Sequence, residues 1–154
     1  MPVTKLLQRP VVTLPPEASC MQAARRMDAE GANAVVVVVE GRPLGIVTAR
    51  DLAVRVMAQG LGAGDVRLRD VMSGTPIYLS ERRGLDEFIG TMREMAVRRM
   101  MVVDADGRLV GLLSLDDLLL LLADQLGALA TVVRRSAPAP NRPRPDEEPG
   151  DEDF

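Results

Sequence analysis

The sequence predicts a mixed α/β (α+β) fold assembled from two copies of a βαββα unit. Three observations carry this. First, Gly45-Ile46-Val47-Thr48-Ala49-Arg50-Asp51-Leu52 recurs as Gly111-Leu112-Leu113-Ser114-Leu115-Asp116-Asp117-Leu118, which sets Asp51 and Asp117 66 residues apart. Second, each copy follows a β-branched or Met/Val run and a turn, so two apolar strands precede each Thr/Ser-x-x-Asp helix start. Third, 47% of the residues are apolar but only 2% are aromatic, so the core must be Val, Leu, Ile, Ala and Met. Recurrence at a fixed spacing marks a duplicated unit.

Residues 4–8 read as a short lead-in helix ended by Pro10, and Val11-Val12-Thr13 as a short strand. Pro15-Pro16 makes a turn. Ser19 is placed to cap a helix, Glu17 being the other candidate, and Gly31 closes it. Cys20, Ala23, Ala24 and Met27 recur there at helical spacing, which makes Cys20 a small buried hydrophobe. Five consecutive valines, Val35 to Val39, are too short and too β-branched for a helix. Their lack of alternation predicts burial on both faces. Glu40-Gly41-Arg42-Pro43 reads as a hairpin turn, Leu44 to Val47 as the return strand, and Thr48 as the start of a helix to about Gln59. The glycine-rich stretch 60–64 follows a helix, whereas a phosphate loop follows a strand and opens a helix, so it reads as a flexible linker.

The order then repeats. Val66 to Met72 is a second lead-in helix, Pro76-Ile77-Tyr78-Leu79 a strand and Ser80 to Arg83 a turn. Leu85, Phe88, Ile89, Met92 and Met95 form a helical apolar stripe. Met100 to Val103 and Leu109 to Leu113 are strands joined by Asp104-Ala105-Asp106-Gly107. That turn imitates the start of a calcium loop, but its twelfth position is Leu115 where a bidentate Glu is required. Ser114 opens a helix to about Val133, apolar nearly all round from Leu118 to Leu122. Such a helix is buried on more than one side, which predicts a homodimer. Residues 134–154 are Pro-rich and acidic and read as a disordered tail.

Several function classes are disfavoured. The net charge of −3 argues against a phosphate-backbone binder, and the lack of aromatics against base stacking. There is no histidine, so the commonest general base and metal ligand are missing. A single cysteine excludes an internal disulfide. No apolar run approaches the roughly 20 residues of a membrane span, and the N-terminus lacks the pattern of a signal peptide. The expectation is a cytoplasmic protein that is not an enzyme and that binds neither nucleic acid nor membrane.

Taken as an ordered set present twice, these motifs resemble the CBS domain family, and the two copies a CBS pair or Bateman module. The resemblance rests on Gly-apolar-apolar-Thr/Ser-x-x-Asp-Leu in both halves, on Val11-Val12-Thr13-Leu14-Pro15, on Ala23-Ala24-x-x-Met27, and on Leu6-Leu7 and Val71-Met72 before each first strand. It divides the chain into repeat 1 (3–60), linker (61–64), repeat 2 (65–133) and tail (134–154). It implies two repeats packed about a pseudo-twofold axis, and non-catalytic binding of AMP, ADP, ATP or S-adenosylmethionine in the clefts between them. Such a module needs no cofactor; the nucleotide is the signal. With no enzyme or transporter domain in view, the output is expected in another protein, its target unknown, or in self-assembly.

Carried onto this sequence, the family pattern makes Thr48 with Asp51, and Ser114 with Asp117, the ribose-binding pairs. A carboxylate accepts hydrogen bonds only and can take both hydroxyls of a diol. Arg98 and Arg99 lie where family members place a phosphate contact; the first half has Asn33-Ala34 there, so the two sites are expected to be unequal. Arg50 is a second basic candidate. Ile77, Tyr78 and Val11-Val12-Thr13 are candidate walls for adenine. Read from the residues alone, Thr-x-x-Asp at a helix start is also a capping box, and capping by itself accounts for both copies. The rival reading is a structural dimerisation module, or a regulatory subunit with no ligand.

Overall fold

A computed structural model describes residues 3–7, 11–73 and 77–136. Gln8 of the first lead-in, Pro10, Pro76 and residues 137–154 of the segment read as a tail lie outside the described residues. One compact unit, Met1–Leu120, holds both halves; a second begins at Leu121.

After a 3₁₀ turn at Val3–Leu6, the chain forms β1 (Thr13–Leu14), α1 (Cys20–Glu30), β2 (Ala34–Val39), β3 (Arg42–Thr48) and α2 (Ala49–Leu52), which runs on as π-helical turns over Ala53–Met57. Then come α3 (Leu68–Val71), β4 (Tyr78–Ser80), α4 (Leu85–Met95), β5 (Arg99–Val103), β6 (Leu109–Ser114) and α5 (Leu115–Ser136). Each half thus contains a three-stranded sheet, β1-β2-β3 or β4-β5-β6, whose first pair is parallel and second antiparallel. The predicted βαββα order is observed twice.

Local chemistry explains the boundaries. Ser19 and Gln22 form a reciprocal capping box at the start of α1, and Gly31 ends it in the left-handed region, φ 61°. The first hairpin is tighter than expected. Val39 pairs with Arg42, so only Glu40 and Gly41 form the turn, with φ 51° and 79°. Two positive φ values match the twist of a two-residue hairpin, and they draw Arg42 and Pro43 into β3. The second hairpin needs five residues, Asp104 to Arg108, and Asp104 Oδ1 accepts the amides of Asp106 and Arg108 at 2.9 Å each. The expected stripe on α4 is narrower than its spacing: Phe88 and Met92 are buried, whereas Ile89 and Met95 are exposed. The helix after Thr48 stops at Met57, short of Gln59, and only Leu68–Val71 of the second lead-in is helical. The last helix reaches Ser136, three residues into the segment read as tail.

The lead-in segments are exchanged between the halves. Val3, with Leu6 and Leu7 beside it, packs in the second core with Phe88, Met92, Met100, Val102, Leu113 and Leu118. Leu68 and Val71 pack in the first core with Val12, Cys20, Ala23, Met27, Val35, Val37 and Val47. Burying a side chain such as Leu68 is worth about 1.5–3 kcal/mol, so each lead-in adds to the core of the other half. The glycine-rich stretch read as a linker is tied down by this exchange. The first amides of α1, on Cys20 and Met21, have no partner within the helix and donate to the carbonyls of Val66 and Ala63 at 2.9 Å each. The hairpin tips also meet: Leu109 donates its amide to the Gly41 carbonyl at 2.8 Å, and Arg108 donates to the Glu40 carbonyl at 3.1 Å.

Candidate functional site

The repeated motif places the same atoms twice. At the end of β3, Thr48 donates its amide (2.8 Å) and its hydroxyl (2.9 Å) to Asp51 Oδ2, and Asp51 returns its amide to the hydroxyl at 3.2 Å. At the end of β6, Ser114 donates its amide (3.0 Å) and its hydroxyl (2.5 Å) to Asp117 Oδ2, with the Asp117 amide returned at 3.2 Å. Both motifs are capping boxes, so the bland reading of the spacing holds. It leaves Oδ1 of each carboxylate for something else. Asp51 Oδ1 lies 3.6 Å from Arg55 Nη2. Asp117 has no ion pair, and its Oδ1 no hydrogen-bond partner, among the described residues.

The second motif borders a cavity of about 480 Å³ that draws on both halves. Val11 and Val12 precede β1; Glu30, Gly31, Ala32, Asn33 and Ala34 join α1 to β2; Arg99, Leu112 and Ser114 come from β5 and β6; Asp116, Asp117 and Leu120 come from α5. The volume lies within the range of small-molecule pockets. A smaller cavity of about 130 Å³ is lined by Ile46, Ser73, Ile77, Val97, Arg99, Met101 and Leu112, without Thr48 or Asp51.

The charges in the larger cavity sort into spent and available. Glu30 pairs with Arg26 at 2.6 Å, and Asp116 with Arg98 at 3.4 Å. What remains is one carboxylate, Asp117, and one guanidinium, Arg99, which makes no ion pair among the described residues. The arrangement offers an acceptor for hydroxyls and a fork for an anion, on walls of Val11, Val12, Leu112 and Leu120.

The expected site residues do not all converge. Ser114, Asp117 and Arg99 line the larger cavity. Arg98 does not; it is exposed and engaged with Asp116. Asn33 and Ala34, expected beside the first motif, line the cavity of the second. Strand register supplies the reason. Ala34 pairs with Thr48 as Arg99 pairs with Ser114, so the two segments are true counterparts, but the halves face one another and both reach one cavity. Thr13 belongs to β1, one residue beyond the lining valines; Ile77 lines the smaller cavity; Tyr78 is exposed on β4; Arg50 is exposed at the start of α2. Glu30, Asp116 and Leu112 were missed, and the only signal for them is adjacency to residues already singled out. Among the described residues no group of acids, cysteines or histidines could hold a metal ion, and no helix is long and apolar enough to cross a membrane.

Comparison with known proteins agrees with this architecture. The model of the CBS domain matches twice, over residues 3–58 and 68–124. The uncharacterized protein MK0525 of Methanopyrus kandleri is 34% identical over 118 residues, 76% of this chain and 60% of that protein. The chain therefore spans about 60% of that relative's length. A CBS domain protein of Pyrobaculum aerophilum, PAE2072, solved in complex with AMP, superposes with a TM-score of 0.69 at 28% identity, covering 76% of this chain and 89% of that one. The CBS domain pair of protein MJ0100, in complex with 5′-methylthioadenosine and S-adenosyl-L-methionine, superposes with a TM-score of 0.71 at 25% identity, covering 81% and 98%. On the matched family model, the duplicated motif and the two sheets, this chain belongs to the CBS domain family and carries its domains as a tandem pair.

Proposed function

We propose that the protein is a non-catalytic sensor of an adenosine-containing ligand, taken up in the 480 Å³ cavity. The observation that carries this is that Asp117 and Arg99, neither of which makes an ion pair among the described residues, line one cavity with apolar walls. The ribose diol donates to Asp117 Oδ1, Ser114 fixes that carboxylate, Arg99 takes the anionic group, and Val11, Val12 and Leu112 enclose the base. AMP and S-adenosyl-L-methionine in the two similar CBS structures support this chemistry, and tandem CBS proteins are in general regulatory. The output is a change in a partner protein or in the chain's own assembly. Self-association as a homodimer through apolar residues of the last helix belongs to the same reading, because Leu119, Leu122, Leu126 and Leu129 are exposed along it.

Calorimetric titration of AMP, ADP, ATP and S-adenosylmethionine into the full chain tests it. Micromolar to sub-millimolar binding of at least one is expected. Absence of heat with all four at millimolar concentration returns the motif to helix capping and the module to a structural role.

A further inference from the structure

Asp51 and Asp117 hold equivalent places, yet among the described residues only Asp51 carries a counter-ion. Arg55 Nη2 stands 3.6 Å from Asp51 Oδ1, the oxygen left over by the cap. The same guanidinium donates from Nη1 to the Val71 carbonyl at 2.5 Å. Four residues after Asp117 the sequence has Leu121 in place of this arginine. Arg55 is 46% exposed, so the ion pair by itself contributes little to stability. Its head is nevertheless held at two points. Val71 ends α3, where carbonyls lack partners within the helix and favour a cation. A ribose hydroxyl is a neutral donor and would have to displace a cation anchored elsewhere. The larger cavity is lined by Asp117.

We propose that Arg55 is the residue that closes the first motif to ligand: its guanidinium occupies the position at Asp51 Oδ1 that a ribose hydroxyl would take, leaving the Asp117 cavity as the one ligand site per chain. This rests on the reading of Asp117 as a ribose acceptor. It also ties occupancy of the first motif to the segment that supplies Leu68 and Val71 to the first core, since one side chain touches both.

The test is binding stoichiometry by calorimetry, with AMP and S-adenosylmethionine as probes on the full chain. Wild type should take one ligand per chain. Arg55→Leu, which copies the second half, should take two. Arg55→Gln keeps an amide donor for the Val71 carbonyl without the charge, and should also take two, which covers the case in which Arg55→Leu fails to fold. Adding Asp51→Asn to Arg55→Gln should return the count to one. Two ligands on wild type, or one on both Arg55 variants, overturns the inference and leaves the proposed function standing. No binding to wild type or to either variant overturns both. Binding to the variants alone overturns the Asp117 site, and with it the inference that rests on it.

Discussion

Gly45 lies so close to Met72 that a β-carbon on it would stand 2.8 Å from the Met72 sulfur and 2.9 Å from the Ser73 carbonyl. The other copy of the motif repeats the relationship, with a β-carbon on Gly111 at 2.6 Å from a Leu7 methyl. The glycine that opens each motif is therefore the seat of the other half's lead-in segment. Gly45→Ala should lower stability by about 1–3 kcal/mol, the usual cost of overpacking. Gly111→Ala should cost less, because Leu7 can turn its side chain aside while the Ser73 carbonyl is backbone. Urea unfolding of the two variants compares them directly, and equal midpoints would argue against the lead-in contacts.

Leu68→Ala should destabilise by about 2–5 kcal/mol. Its effect should appear in the wrong half of the sequence: backbone shifts at Val12, Val35 and Val47, around the first core, should move more than those at Phe88 or Val102. An NMR comparison reads this. Perturbation centred on Phe88 would contradict the exchange of lead-ins.

Asp117→Asn removes the charge while keeping a short polar side chain. It should weaken nucleotide binding ten- to a hundredfold, the loss of a charged hydrogen bond of about 1.5–3 kcal/mol. Asp51→Asn should leave affinity unchanged and cost about 1 kcal/mol of stability as a weakened cap. Calorimetry and thermal melts on the pair separate the roles; equal affinity in Asp117→Asn and wild type would return Asp117 to capping alone.

Burial pushes the Cys20 thiol above its ordinary 9.0, and the neighbouring Asp70 adds to the rise. The folded value exceeds the unfolded one, so the fold keeps this contribution below about pH 9 and loses it as the pH climbs from there through the folded value. Cys20→Ala should flatten that alkaline loss. A disulfide-exchange reagent at pH 8 should react slowly with native protein and promptly in urea; rapid native reaction would show that the thiol is accessible.

Leu126→Glu should shift the protein toward monomer at micromolar concentration, as read by light scattering. A wild-type chain that is already monomeric there would remove the self-association part of the proposal.

The sequence by itself determined the duplication, the order of elements and the caps. Each of these is local: Ser19 with Gln22, Thr48 with Asp51, and Ser114 with Asp117 are three residues apart, and Val35 to Val39 declare a strand by β-branching alone, although burial ends at Val37 and Val39, at the hairpin, is exposed. It also singled out Ser114, Asp117 and Arg99, which line the larger cavity. Only the tertiary structure decided which segments meet. Val3 packs in the core of Phe88 and Leu68 in that of Val12, and no local pattern states which distant segment completes each core. The same holds for Asn33 and Ala34, which register correctly matched to Arg98 and Arg99 but which the facing of the two halves carried into the cavity of Asp117. The inequality of the two carboxylates depends on a single arginine, whose second anchor, the Val71 carbonyl, is brought within reach only when α3 docks.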